Sequence, residues 1–217
     1  GGGVGSCPDL KPYQLVGVNF LLVLNKNRVG GAILADEMGL GKTAQCISYL
    51  GVQLARTAAS RRRPTVVVAP ASLLENWSRE LRTFAPALRV QAFYGDRGAR
   101  EEARLELADF QPGGRRSHEG CPFDVLLTCY TLFERDSADQ RADRAFLRGW
   151  RYAHMVLDEA HLVKNRASQR AVRLRKVAEA CDQRLMLTGT PLQNRLSELE
   201  ALLEFLLPDL FEGMGEG

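Results

Sequence analysis

The sequence predicts an α/β fold, a mainly parallel sheet with helices on both faces. Two observations predict it. Short apolar, β-branched runs recur along the chain, and between them lie longer stretches with helical spacing. Such alternation places parallel strands under covering helices on both sides. The 217 residues, 45% of them hydrophobic, suffice for one domain with a sizeable core. Apolar runs such as Val66 to Ala69, or Leu202 to Leu207 with Glu204 inside it, fall well short of the roughly 20 residues that cross a bilayer. No membrane partner is expected.

In chain order, Pro12 to Asn25 reads as the first helix, and Gly31 to Ala35 as a strand leading into helix Lys42 to Arg56. Strand Thr65 to Ala69 precedes helix Ser72 to Phe84. Ser72 stands three residues before Glu75, so a capping box is expected at that helix start. Strands Arg89 to Phe93 and Phe123 to Thr128 flank helix Gly98 to Phe110. Helix Gln140 to Arg148 leads to strand His154 to Leu157, helix Ser168 to Ala180 to strand Arg184 to Leu187, and helix Ser197 to Leu206 closes the pattern. The polar stretches Thr57 to Pro64, Gln111 to Pro122 and Arg135 to Asp143 read as surface connections. Residues 1–9, opening Gly-rich, and 212–217 read as flexible ends around one domain over 10–211, the whole being a piece of something longer.

Five cysteines, an odd number without a C-x-x-C pair, argue against a disulfide framework or a zinc ribbon and point to a reducing, intracellular setting. Of the 29 basic residues all but five are arginine, which suits phosphate recognition. However, 26 acidic residues nearly cancel the charge, so bulk electrostatics permits nucleic-acid binding without establishing it.

Three segments carry chemistry. The first strand runs into Asp36-Glu37-Met38-Gly39-Leu40-Gly41-Lys42-Thr43, where small residues let backbone N–H groups curl around an anion at a helix N-terminus. This is a Walker A loop with Asp36 where the strict pattern has Gly. Lys42 would reach the outer phosphates of ATP, and Thr43 would put its hydroxyl on Mg²⁺. The second segment, Met155 to His161, ends a strand in the carboxylate pair Asp158-Glu159, at the sheet edge where ligands of open α/β folds collect. Asp158 would hold Mg²⁺, and Glu159 would orient and deprotonate the attacking water. The third, Leu187 to Asn194, follows a strand on the same edge. In isolation it is a turn before a helix, but its position makes Thr188 and Thr190 candidates for coupling the nucleotide state to a second site.

In this order and spacing the segments resemble the first RecA-like lobe of helicase-type ATPases of superfamily two, specifically the Swi/Snf type, over residues 10–211. Leu10 to Val18 matches the opening of that family, and the Asp36 form of the loop is similar to the family's own. The nearest resemblance within it is to the enhancer-trap-locus (Fun-thirty) chromatin remodellers, of a plant or algal kind. The resemblance implies ATP and Mg²⁺ as cofactors, duplex DNA and nucleosomes as partners, a second RecA-like lobe in the same chain, and a nuclear location. It assigns adenine recognition to Gln14 and coupling to His161, Thr188 and Thr190. It also implies DNA-facing loops at Ala69 to Trp77, with Ser72, and at Thr128 to Thr131, with both threonines. Lys164-Asn165, otherwise a solvated pair, would add a backbone contact. Trp77, with Leu74 and Leu81 on one helical face, reads as core.

Two other readings stand beside this one. A D-E-A-H RNA helicase resembles the second segment, but such enzymes carry a G-x-T-G-S-G-K-T loop and an S-A-T third motif, where this chain has Met38 to Gly41 and Thr188-Gly189-Thr190. A scaffold that kept the fold and lost the chemistry is the other; the intact Lys42, Asp158 and Glu159 argue against it.

Overall fold

The computed structural model describes residues 9–189 and 196–211. The chain forms a six-stranded, wholly parallel sheet of order β1-β6-β5-β2-β4-β3. The strands are β1 (Gly31–Leu34), β2 (Thr65–Ala69), β3 (Val90–Phe93), β4 (Val125–Cys129), β5 (Tyr152–Asp158) and β6 (Cys181–Leu187). The helices are α1 (Pro12–Lys26), α2 (Lys42–Arg56), α3 (Leu74–Phe84), α4 (Arg97–Leu107), α5 (Ala138–Arg148), α6 (Gln169–Ala178) and α7 (Leu196–Leu206). The central strands β2, β4 and β5 are buried almost throughout, whereas β3 is a half-exposed edge. Because every pairing is parallel, each loop that follows a strand emerges at the same carboxyl edge.

Among the described residues, three N-cap side chains bond into the first turn of their helices. Asp96 accepts from Ala99 N (2.9 Å), Ser137 from Gln140 N (3.3 Å) and Ser168 from Ala171 N (3.2 Å). The capping box expected at Ser72 and Glu75 is absent. After Pro70 the chain takes one 3₁₀ turn over Ala71–Leu73, closed by Leu73 N donating to Pro70 O, and α3 begins only at Leu74. Ser72 therefore sits inside the turn, where its hydroxyl does not cap α3. The expected surface connection over 135–143 is also corrected. α5 starts at Ala138, and Asp143 is fully buried because Arg100 (2.8 Å) and Arg104 neutralise it from α4. Of the two expected flexible ends, residues 1–8 and 212–217 lie outside the described residues.

At the amino edge, opposite the loops that follow the strands, a buried polar network joins both halves of the sheet. The Tyr49 hydroxyl donates to Gln183 Oε1 (2.9 Å), so its 2.8 Å contact with His154 Nε2 makes the imidazole the donor there. Thr65 then donates to Nδ1 (3.3 Å). Asn25 also donates to Gln183 Oε1 and accepts from Gln53. Burial first, and the Arg63 charge second, hold the His154 pKa at about 4 against its ordinary 6.5. The unfolded chain takes up a proton near 6.5 that the folded imidazole refuses until about 4. Stability present at neutral pH is therefore lost as pH falls through that window, by about 3 kcal/mol in all. Denaturant melts from neutral pH down to about 4 should show this slope, and His154→Gln should flatten it. An unchanged slope in the variant would place the acid sensitivity elsewhere.

Candidate nucleotide site and nucleic-acid face

β1 ends at Leu34, and the loop from Asp36 to Gly41 carries the chain to the N-terminus of α2. Gly41 sits at φ 73°, in the left-handed region, and Gln14 packs where its Cβ would stand, so a larger residue fits neither the backbone nor the space. The Lys42 ammonium reaches across the loop to Asp36 O (2.6 Å) and Glu37 O (2.9 Å). Gln14 is bonded at both ends, Oε1 accepting from Lys11 N (2.9 Å) and Nε2 donating to Leu40 O (3.3 Å). It thus lies against the loop from α1.

The Asp36 departure has a structural reason. Its Oδ2 accepts from Gln45 Nε2 (3.3 Å), which also donates to Leu40 O (3.2 Å), so an acidic side chain braces the loop from outside. Gln45 is fully buried on α2 and was not singled out in the sequence. Its one signal is an amide among the apolar neighbours Ala44, Cys46 and Ile47.

Asp158 ends β5 and is 8% exposed. Its two carboxylate oxygens accept from Trp77 Nε1 (2.7 Å) and from Glu159 N (2.9 Å). Burial raises the Asp158 pKa above the usual carboxylate range, with the two N–H bonds and the Lys42 charge acting against it. Glu159 follows in the left-handed region (φ 52°, ψ 52°), and its Oε2 lies 3.1 Å from His161 Nδ1. Thr188 is buried after β6, and its N–H donates to Leu34 O (3.1 Å). At Gly189 a Cβ would come within 2.5 Å of Met38 Cγ, so the third segment lies against the exposed Met38 side chain of the first. Thr190, with Pro191 to Asn194, lies outside the described residues.

These segments enclose a cleft of about 270 Å³ in which Lys42, Thr43, Asp158, Glu159 and Gly189 meet. Glu80, which the sequence did not single out, and Asn76, expected within the DNA-facing segment Ala69 to Trp77, line it from α3, with Asn76 Nδ2 donating to Glu80 Oε1 (2.9 Å). Their polar i,i+4 pairing beside Trp77 was the available signal.

The nucleic-acid candidates divide. Ser72 and Thr131 are exposed at the carboxyl edge, after β2 and β4 respectively. Thr128 is corrected. It is fully buried within β4 and its hydroxyl donates to Phe93 O (2.7 Å), so it presents nothing to a phosphate. Lys164 and Asn165 are exposed, but the Lys164 ammonium is paired with Glu198 (3.0 Å), and Asn165 Oδ1 accepts from Ala167 N (3.1 Å). Trp77 is core as expected, fully buried with Leu74 and Leu81, yet its indole N–H serves Asp158.

The SNF2-related domain profile matches residues 13–215. The chain belongs to the SNF2-related domain family. This SNF2-related domain is 52% identical over 208 residues to Protein CHROMATIN REMODELING 19 of Arabidopsis thaliana, a match covering 94% of this chain and 26% of that protein. It is 42% identical over 203 residues to ATP-dependent helicase FUN30 of Saccharomyces cerevisiae, covering 94% of this chain and 16% of that one. It superposes with a TM-score of 0.74 and 31% identity on the Sulfolobus solfataricus SWI2/SNF2 ATPase core in complex with dsDNA, over 94% of this chain and 37% of that structure. The chain thus spans about a quarter or less of either curated relative. The family and the RecA-like lobe expected from the three motifs are those the comparisons find.

Proposed function

We propose that this SNF2-related domain is the ATP-binding lobe of a DNA-dependent ATPase that moves on duplex DNA and remodels chromatin in the nucleus, together with a second RecA-like lobe of the same chain. The observation that carries the reading is the single cleft in which Lys42, Thr43, Asp158 and Glu159 meet, drawn from segments more than a hundred residues apart. The dsDNA-bound Sulfolobus solfataricus core supports duplex DNA as the partner, and the name of the Arabidopsis relative supports chromatin and with it the nucleus.

Lys42 neutralises phosphate charge with an ammonium already held over the loop, and Gln14 offers its amide to the adenine from beside Leu40. Thr43 and Asp158 are hard oxygen donors lining one cleft, and no cluster of three or more His, Cys, Asp or Glu among the described residues could hold a metal alone. That donor set fits Mg²⁺, which takes one or two protein oxygens and completes its shell from waters and phosphates. When bound, Mg²⁺ supplies charge neutralisation at the phosphates. Glu159 orients the attacking water and takes its proton, with His161 fixing the carboxylate from 3.1 Å. Thr188 couples the nucleotide state to a second site, since Gly189 beside it lies against Met38 of the loop, and Thr190, two residues further in sequence, shares that role. Ser72 and Thr131 meet the DNA backbone, and Lys164 and Asn165 add a further contact once Lys164 exchanges Glu198 for a phosphate.

Phosphate release by the full-length protein, with duplex DNA, nucleosomes and RNA compared side by side, tests the reading. Duplex DNA and nucleosomes should stimulate it, with steep salt dependence and indifference to base sequence. Stimulation by RNA alone, or by nothing, would overturn it.

A further inference from the structure

We propose that Trp77 and Tyr130 are positioning residues that tie the two DNA-facing turns to the Asp158–Glu159 peptide, so that contact with duplex phosphates resets the carboxylates. The inference rests on the nucleic-acid reading above. Two separate segments converge on one residue. Trp77 lies on α3, the helix that continues the turn holding Ser72, and its indole N–H donates to Asp158 Oδ2 at 2.7 Å. Tyr130 opens the 3₁₀ turn Tyr130–Phe133 that holds Thr131, and its hydroxyl donates to the main-chain oxygen of Asp158, also at 2.7 Å.

Both rings are buried, Trp77 at 0% and Tyr130 at 2% exposure, in surroundings that packing alone would fill with phenylalanine. Their polar atoms end instead on the side chain and the carbonyl of the same aspartate. The guanidinium of Arg170, centred 5.7 Å from the Tyr130 ring, donates to Leu162 O (3.2 Å) in the turn after Glu159 and so braces that ring from the other side.

The element that can take two arrangements is the peptide between Asp158 and Glu159. Its carbonyl is held by Tyr130, its N–H is held by Asp158 Oδ1 at 2.9 Å, and Glu159 sits in a left-handed conformation that a non-glycine residue keeps only when its surroundings enforce it. Short, directional bonds carry small shifts faithfully. A movement of α3 or of the Thr131 turn on meeting a phosphate therefore reaches the Mg²⁺-side carboxylate through Trp77 and the general base through Tyr130. This route is separate from the segment after β6 that begins with the buried Thr188.

The test is a thermodynamic cycle on the full-length protein, measuring affinity for a non-hydrolysable Mg²⁺–ATP analogue with and without duplex DNA. Coupling is reciprocal, so DNA affinity with and without the analogue must give the same factor. Trp77→Phe keeps an aromatic ring and loses the N–H; Tyr130→Phe loses only the hydroxyl. The wild-type protein should show a coupling factor of about 5 or more. In each variant the factor should fall to half the wild-type value or less, because one of the two ties to Asp158 is lost while the other remains. Variants that keep the wild-type factor overturn the proposal, including variants that weaken nucleotide binding equally with and without DNA, which is what mere packing support would do. Absence of coupling in the wild-type protein overturns the DNA-linked reading itself, and the relay with it. Should Trp77→Phe fail to fold, Tyr130→Phe decides.

Discussion

Glu159→Gln should leave nucleotide binding intact and lower turnover by about 10² to 10⁴-fold. The amide keeps the size of the side chain and can still meet His161, so the geometry around Asp158 survives. What it cannot do is accept the proton of the attacking water. Lys42→Ala should give the opposite phenotype, weak binding on an unchanged fold, because the ammonium bonds only to loop carbonyls and belongs to no core cluster. Nucleotide titration, phosphate release and circular dichroism on the two variants separate the roles. Hydrolysis retained by Glu159→Gln would mean that the base lies elsewhere, and unchanged affinity in Lys42→Ala would remove the loop from the phosphate site.

The second large effect concerns the lobe by itself. Around the cleft Glu80, Asp158 and Glu159 are acidic and Lys42 is the single basic residue among the described residues. The transition state of phosphoryl transfer gathers negative charge on its equatorial oxygens, and one ammonium does not balance it. An arginine supplied by a facing lobe contributes about 10³ to 10⁵ in rate in related P-loop enzymes. Residues 1–217 alone should therefore bind nucleotide and turn it over negligibly, with little response to duplex DNA. Phosphate release measured beside a protein extended through a second lobe decides this. Comparable DNA-stimulated turnover in both would mean that one lobe suffices.

How much of this was legible in the sequence depended on the range of the interaction. β2 and α2 have the bounds the sequence predicts, since β-branched runs and helical periodicity are local signals. The phosphate loop and the Asp158-Glu159 pair were readable for the same reason. The sequence misled where a local pattern met a longer-range competitor. The spacing of Ser72 and Glu75 was right for a cap, but the turn closed on Pro70 moved the helix start beyond it. Thr128 stood in a motif that suggested a phosphate contact, but β4 carries it into the sheet, where its hydroxyl donates a hydrogen bond to Phe93 O. Gln45 and Trp77 were the opposite case. Each occupies a position that periodicity marks as core, and each uses its polar atom on a partner, Asp36 or Asp158, that no helical or strand spacing reveals.

The left-handed backbone at Glu159 gives that position conflicting demands. For an L residue with a Cβ this conformation costs roughly 1–2 kcal/mol, a cost glycine escapes. The residue that would suit the fold there is thus not the residue that would serve the reaction. A lineage that ceased to hydrolyse ATP while keeping the domain as a binding platform would gain stability by replacing this residue with one that tolerates the left-handed backbone. Retention of Glu159 in a chain is accordingly a mark of continued selection for turnover, and its replacement by glycine or asparagine would be an early sign of a lobe retired from chemistry.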